Sequence, residues 1–342
     1  MLQTNIQFRS VTKMADIPLN LQTLYADLVQ DVHGRIAKPA SVYRRTLRNI
    51  EFIYAKRRVG VVRRDIFIGR ADELAAQETA RTMQMEMERA EARRVTIIAL
   101  KAAGMPLPFP EIARVLDALD DAGLLTKTII VGTAAYQCFP PMIGSTLPSA
   151  TIMSQDVDIA TMSLAIQSDG EAESLEDILK RADPTFTGRM GLRPKDLPSS
   201  FRASSGFTVD LLTPILRRDD PNPMPLKNLK AGATPLQHLK WLIENPVPVA
   251  VLYGTGIPAF VPQPARYAIH KLIIAQKRLV NPQKRQKDLA QAKALIDVLT
   301  RRDPYALSDA RDAAFAEGTE GWQVPIERSL SELKLNAEFE AV

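Results

Sequence analysis

The 342-residue sequence predicts an α/β (α+β) fold: a small mixed sheet, preceded by a β-hairpin and a long helix and followed by a helical region. Short runs rich in apolar residues have the length of buried strands; they lie at 128–131, 155–160 and 207–212. Residues 72–105 are rich in Ala, Glu, Met and Arg and contain no Gly or Pro before Gly104, which is typical of one long helix. Apolar residues recur at helical spacing in 266–279 and 286–299, which predicts two C-terminal helices.

The composition is that of an ordinary globular protein, with 46% hydrophobic and 24% charged residues. No stretch is apolar for long enough to span a bilayer, and the N-terminus lacks the apolar core of a secretion signal. The single cysteine, Cys138, excludes an internal disulfide and fits a reducing compartment, so we expect a cytoplasmic protein. The net charge of +5 permits a polyanionic partner such as RNA or an NTP without requiring one.

Proline-rich breaks divide the chain into three predicted regions. Residues 1–105 hold the N-terminal helices and a basic β-hairpin, 106–216 hold the sheet that carries the acids, and 217–342 form a mainly helical region. The hairpin carries four arginines, which are Arg57, Arg58, Arg63 and Arg64. They form either a solvated edge that discourages pairing with another sheet or a ribbon that contacts phosphates.

Two acidic residues, Asp156 and Asp158, stand at alternate positions of one predicted strand. Alternate residues of a strand point to the same side, so the two carboxylates would share a face. Like charges that close repel each other, and a divalent cation between them resolves the repulsion. A third carboxylate, Asp210, lies inside another apolar strand. Three carboxylates on neighbouring strands form an oxygen-rich site suited to Mg²⁺.

The apolar strand that precedes these acids ends in Gly132-Thr133. Because Gly has no side chain, the backbone there can approach a phosphate closely, and the N–H groups that open the following helix would face the anion. Each signal is common by itself, but their order along the chain predicts a metal-dependent phosphoryl-transfer site. The alternative is a set of unrelated surface or salt-bridged acids.

This order of motifs resembles the nucleotidyltransferase fold of the DNA polymerase β superfamily. That superfamily combines Gly followed by Gly or Ser, an acid-x-acid pair on a strand, and a third acid on another strand. Gly132-Thr133, Asp156 with Asp158, and Asp210 stand in those places. The sequence departs from the pattern by Thr133 in place of Gly or Ser and by a longer stretch than usual between the first two elements.

The C-terminal region is similar to the helices of minimal nucleotidyltransferases related to abortive-infection and type IV toxin–antitoxin toxins. In those proteins a Lys on one helix and a Lys/Arg-Asp pair on the next face the nucleotide. Lys271 and Lys287-Asp288 stand in such places, and Arg278 is a further candidate. Lys271 could equally be a solvated helix lysine. From about residue 52 to residue 299 the chain resembles a bacterial family of nucleotidyltransferase-fold proteins.

The resemblance implies an enzyme that moves a nucleoside monophosphate from an NTP to a hydroxyl on RNA, protein or a small molecule. Asp156 and Asp158 would hold the Mg²⁺ or Mn²⁺ that binds the triphosphate, and Asp210 would complete a second metal site and help to deprotonate the acceptor. The implied nucleotide-binding residues are Gly132, Thr133, Lys271, Arg278 and Lys287.

Two other functions are compatible with the same sequence. One is a catalytically silent relative that binds a nucleotide or a partner, and the other is an RNA-binding module that uses the basic hairpin without chemistry. The presence of all three acids favours the enzyme, because a decayed copy would be expected to lose at least one of them. The NTP, the acceptor and the oligomeric state stay open.

Overall fold

We describe the protein from a computed structural model, which covers residues 14–59, 62–148, 156–160, 173–189, 196–215, 223–278, 280–336 and 339, with the backbone alone at 58, 59, 62 and 156–160. The helices in these ranges are α1 Leu19–His33, α2 Leu74–Ala102, α3 Pro110–Asp121, α4 Gly132–Tyr136, α5 Phe139–Ile143, α6 Leu175–Lys180, α7 Leu239–Leu242, α8 Pro264–Lys277, α9 Pro282–Arg302, α10 Pro304–Ala316 and α11 Val324–Leu333. The strands are β1 Ser41–Leu47, β2 Ile50–Val59, β3 Val62–Arg70, β4 Ile129–Val131, β5 Asp156–Ala160, β6 Thr187–Gly188, β7 Ser200–Arg202, β8 Thr208–Pro214, β9 Met224–Leu226, β10 Ala231–Leu236, β11 Val247–Val251 and β12 Ile257–Val261. This mixed content confirms the predicted fold class.

The described residues group into two compact units that are interleaved along the chain. One unit consists of Leu19–Cys138 and Gln155–Gln263, and it carries all the strands named above. The other consists of Met1–Pro18, Phe139–Ser154 and Pro264–Val342. The predicted regions 1–105, 106–216 and 217–342 cut across these units, and as a division into domains they stay a prediction.

The basic hairpin is part of a three-stranded antiparallel sheet in the order β1-β2-β3. Arg48 and Asn49 connect β1 to β2 with φ values of 50° and 60°, the conformation of a tight two-residue hairpin turn. Ile53 of this sheet packs on Ala76 and Ala80 of α2, so one face of the sheet is part of the core. The predicted hairpin is confirmed, and β1 adds a strand that was not predicted.

Helix α2 confirms the predicted long helix, because 29 residues without Gly or Pro keep its hydrogen-bond ladder intact. Its buried Arg93 donates to Glu86 at 2.6 Å, within the helix, and to the backbone oxygen of Thr255 at 3.2 Å. These bonds fix α2 against the turn between β11 and β12. In that turn a side chain at Gly256 would lie 2.6 Å from Val32 of α1, so only Gly permits this packing.

The sheet that carries the acids is mixed, as predicted, with the order β4-β5-β8-β10-β9 and with β7 on β8. Strands β5, β8 and β10 run parallel, whereas β4 and β9 run antiparallel to their neighbours. Strands β6 and β7 lie in 183–205, which the sequence predicts to be rich in loops. Both strands are too short to show a sequence pattern; β6 pairs with β7, and β7 pairs with β8.

The second unit contains a group of helices in which α8 contacts α9, α10 and α11. Helix α9 begins at Pro282 because the Asn281 side chain accepts a hydrogen bond from the N–H of Lys284. Ser329 of α11 donates to the backbone oxygen of Leu272 at 2.8 Å, which ties α11 to α8. Helices α8 and α9 confirm the two predicted C-terminal helices. None of the helices in the described ranges is long and apolar enough to cross a membrane.

Candidate active site

Two of the predicted site acids occupy paired positions on adjacent strands. Strands β5 and β8 are parallel neighbours, and their register places Asp158 opposite Asp210 and Asp156 opposite Thr208. Paired positions in adjacent strands lie about 4.8 Å apart. Both β5 and β8 are short and rich in β-branched or other apolar residues. Such strands favour the central positions of a sheet, where both faces are buried.

The Gly-Thr element lies on the other side of the same strand. Val131, the last residue of β4, is the antiparallel partner of Asp158. The chain then turns into α4 at Gly132, whose φ of 62° is in the left-handed region that favours glycine. Thr133 follows within α4 and is buried. The backbone register therefore places Asp158 between the strand that leads into Gly132 and the strand that carries Asp210.

Asp210 is a polar position within an otherwise buried strand. Its neighbours in β8, Val209 and Leu211, are buried, whereas Asp210 is partly exposed. On the side away from β5 it is paired with Ser200 of β7. The alternation places the Asp210 side chain on the opposite sheet face from Val209 and Leu211, where a carboxylate keeps access to solvent and to a ligand.

The donor types at these positions suit a hard divalent cation. Carboxylate oxygens are the ligands that Mg²⁺ and Mn²⁺ prefer, and the backbone register pairs Asp158 with Asp210. Among the side chains that the structure describes, no three His, Cys, Asp or Glu residues form a metal-binding group. The side chains of Asp156 and Asp158 lie outside that set.

The three predicted cations belong to the other unit. Lys271 is buried, and its ammonium nitrogen lies 2.5 Å from Oδ1 of Asp288 and 5.2 Å from the centre of the Tyr267 ring. Arg278 donates to the second oxygen of Asp288. The alternative of a solvated Lys271 is therefore wrong. Lys287, which precedes Asp288 on α9, is half-buried. The role of all three cations toward the nucleotide stays a prediction.

An acidic residue that was not predicted to matter binds three arginines. The Asp121 carboxylate, 4% exposed, accepts from Arg57 of β2, from Arg64 of β3 at 3.3 Å and from Arg181 at 2.7 Å. Arg57 and Arg64 thus attach the three-stranded sheet to α3, so the prediction of a solvated edge is wrong for Arg57. Asp121 ends α3, where the helix dipole disfavours an acid, and that mismatch was the available sequence signal.

Comparison with known proteins assigns the family. A family model described as Nucleotidyltransferase matches residues 110–316, more than half of the chain, and this range contains every predicted site residue. No curated protein and no solved structure matched the chain. The extent of the family match, together with the order of glycine, acid pair and third acid, establishes the relationship. The chain belongs to the nucleotidyltransferase family, which makes it a transferase that uses an NTP.

Proposed function

We propose that the protein transfers a nucleoside monophosphate from an NTP to a hydroxyl acceptor, with Asp156, Asp158 and Asp210 as the residues that hold Mg²⁺ or Mn²⁺. The observation that carries this proposal is the register of the sheet, in which Asp158 pairs with Asp210 on one side and with Val131, next to Gly132, on the other. Three elements separated by up to about 80 positions in sequence meet in three adjacent strands.

The acceptor oxygen forms a bond to the α-phosphorus, the bond between that phosphorus and the bridging oxygen breaks, and pyrophosphate leaves. Divalent cations would supply charge neutralisation for the attacking and leaving oxygens. Asp156 and Asp158 would hold the ion that accompanies the triphosphate. Asp210 would complete the set, and its carboxylate is a candidate acceptor for the hydroxyl proton. Gly132 and Thr133 would approach the triphosphate through their backbone.

The remaining assignments follow from the resemblance and from charge. Lys271, Arg278 and Lys287 are proposed to neutralise phosphate charge. Membership of the DNA polymerase β superfamily, similarity to the abortive-infection and type IV toxins, a bacterial source and a cytoplasmic location belong to the same proposal. RNA, protein and small-molecule hydroxyls are the three acceptor classes.

A labelling assay tests the proposal. Wild type, Asp158→Asn and Asp210→Asn are each incubated with Mg²⁺, the four α-labelled NTPs and total RNA and protein extracts. We expect label transfer by wild type and a loss of at least about 100-fold in both variants, because removing a group that only hydrogen-bonds to a metal ligand already costs about 10- to 100-fold. The control is Asp309→Asn, which removes an exposed carboxylate on α10 and should retain full activity.

Two outcomes would contradict the proposal. Full transfer by Asp210→Asn and Asp158→Asn would show that the paired acids do not act in the reaction. Nucleotide binding without transfer to any extract, unchanged in both variants, would support the catalytically silent relative instead. Urea unfolding of each variant separates a loss of transfer from a loss of the folded state.

A further inference from the structure

The three-stranded sheet presents a continuous row of aromatic rings on one face. Tyr43 of β1 is paired with Tyr54 of β2, and Tyr54 with Phe67 of β3. The rings of Tyr43 and Tyr54 are stacked, with centroids 5.6 Å apart and an interplanar angle of 19°. The ring of Phe67 lies 5.4 Å from that of Tyr54 and 5.9 Å from that of Phe52. We call the side of the sheet with these four rings the aromatic face.

The aromatic face is not the face that builds the core. Ile53 and Ala55, which alternate with Phe52 and Tyr54 along β2, are 2% and 0% exposed. Phe67, in contrast, is 58% exposed. The packing of this sheet on α2, as far as the structure describes it, uses Ile53 and its neighbours on the opposite side. Tyr43, Phe52 and Tyr54 beside it are half-buried. A contiguous row of rings that reaches solvent marks a candidate interaction site.

Basic side chains accompany the rings. Arg45 stands opposite Phe52, and Lys56 lies two residues beyond Tyr54 on the same face; both are exposed. Lys56 and the exposed Arg63 also line a cavity of about 1070 Å³ beside the sheet. Among the residues that line this cavity, Lys and Arg outnumber Asp seven to two. Four of these cations are paired with acids, namely Arg35, Arg57, Arg94 and Arg114. The aromatic face is therefore continuous with a cavity whose positive charge comes mainly from Lys38, Lys56 and Arg63.

We infer that the aromatic face and this cavity bind single-stranded RNA. Bases stack on exposed aromatic rings whatever their sequence, and a basic groove beside the rings holds the phosphates. A duplex keeps its bases stacked on one another and cannot use the rings. Asp65 is paired with Lys56 on this face, and its carboxylate interacts with the Tyr43 hydroxyl. The remaining lone pairs of this carboxylate and the Tyr54 hydroxyl can accept hydrogen bonds from 2′-hydroxyls, which DNA lacks. The charge excess disfavours a basic or an apolar protein as the occupant.

Binding of RNA stands on the sheet and the cavity alone. If the bound RNA is also the acceptor of the transferred nucleotide, that part of the inference rests on the proposed function. A binding measurement without NTP keeps the two apart. If wild type binds RNA but transfers no nucleotide, only the proposed function is contradicted. If wild type transfers a nucleotide but does not bind RNA, only this inference is contradicted.

The test is fluorescence anisotropy with a labelled single-stranded RNA of about 12 nucleotides, within the usual site size for such surfaces. Wild type should bind it more tightly at low salt than at physiological salt, and more tightly than the duplex or the DNA of the same sequence. We expect Arg45→Glu to raise Kd by about tenfold or more. Phe67→Ala should raise Kd by about tenfold, the effect of losing one stacked base.

Matched controls are available on the same elements. Arg44→Glu makes the same change of charge at the preceding residue of β1, on the opposite face, where Arg44 forms an exposed pair with Glu51. This variant should change Kd less than twofold. Val95→Ala removes an exposed apolar side chain from α2 and should leave Kd unchanged. Equal effects of Arg44→Glu and Arg45→Glu would overturn the inference, because the binding would then follow net charge alone.

Three further results would overturn it. These are no RNA binding by wild type at low salt, equal affinity for the DNA or the duplex, and unchanged affinity in Phe67→Ala. Sedimentation of wild type and Phe67→Ala completes the test. If wild type is a dimer and Phe67→Ala a monomer, a second copy of the chain occupies the aromatic face in place of RNA.

Discussion

The ammonium nitrogen of Lys271 lies 2.5 Å from Oδ1 of Asp288, and the two side chains are 9% and 1% exposed. Arg278 binds the other oxygen of the same carboxylate. The buried Asp288 carboxylate therefore holds α8 to α9 through these two cations. It also fixes the position of Lys271, which the resemblance assigns to the phosphates of the nucleotide. Both roles can be measured separately, because stability and nucleotide binding are independent readouts.

Replacing the buried lysine should destabilise the fold. Lys271→Met leaves Asp288 with Arg278 alone, and we expect the free energy of unfolding in urea to fall by about 3 kcal/mol, as for other broken buried pairs. Arg285→Met is the control, because Arg285 and Glu332 are 30% and 42% exposed and such pairs contribute less than about 1 kcal/mol. Equal losses in the two variants would show that burial of the Lys271–Asp288 pair has no energetic consequence.

Asp121 should be among the most sensitive acids in the chain. Asp121→Asn leaves the Arg57 guanidinium, 17% exposed, without its carboxylate, and it leaves the Arg181 guanidinium, 7% exposed, with Glu173 alone. We expect a loss of at least about 3 kcal/mol in the free energy of unfolding. Asp72→Asn breaks an exposed pair with Arg70 and should cost less than about 1 kcal/mol. A loss below that of Asp72→Asn would contradict the structural role of the cluster.

The glycine at the end of β4 should be needed for both stability and transfer. Gly132→Ala and Gly104→Ala each place a side chain at a positive φ, 62° and 84°, and each should lose about 1–2 kcal/mol of unfolding free energy. Only Gly132→Ala should also lower nucleotidyl transfer, because Gly104 stands at the end of α2. Similar transfer rates in the two variants would remove Gly132 from the proposed triphosphate site.

Lys38 should make stability depend on pH. Burial lowers the pKa of Lys38 from 10.5 to about 8, and the nearby Asp120 only partly offsets this. Between these two values the unfolded chain binds more protons than the folded chain, so stability rises as the pH rises through 8. The unfolding free energy of wild type minus that of Lys38→Met should therefore increase between pH 7 and pH 10. Lys101→Met, at an exposed lysine, is the control. The difference in unfolding free energy between wild type and this variant should stay constant over the same pH range.

The sequence was sufficient for the parts of the fold that local interactions decide. Helices α2, α8 and α9 follow from uninterrupted helix-favouring residues, and their predicted limits differ from the observed ones by only a few residues. The Asp158–Asp210 pairing was expected in kind, since both acids were predicted on neighbouring strands. Its register was not predictable, because the pairing joins residues about 50 positions apart.

The sequence also predicts a pair of strands at 247–253 and 257–261, which β11 and β12 confirm. Strands β1, β6, β7, β9 and β10 escaped prediction because their partners are distant, their side chains are charged or they are very short. In β1, the consecutive Arg44 and Arg45 interrupt the alternation of apolar and polar residues that is typical of a strand. Strands β9 and β10 are short and contain Pro225 and Pro235, which usually argue against strands. The three arginines that bind Asp121 lie far from it in sequence: Arg64 is 57 positions away, Arg57 is 64 and Arg181 is 60. No local pattern therefore indicated that these residues form a cluster.

The interleaving of the two units has a consequence for synthesis of the chain on the ribosome. Phe139 is fully buried, and its ring packs against Tyr267 with centroids 5.1 Å apart. When Phe139 leaves the ribosome, Tyr267 has yet to be translated, and the intervening residues include a large part of the other unit. While residues 140–267 are being translated, the apolar segment around Phe139 has no folded partner to cover it. During this time we expect the nascent chain to bind chaperones and to be prone to aggregation.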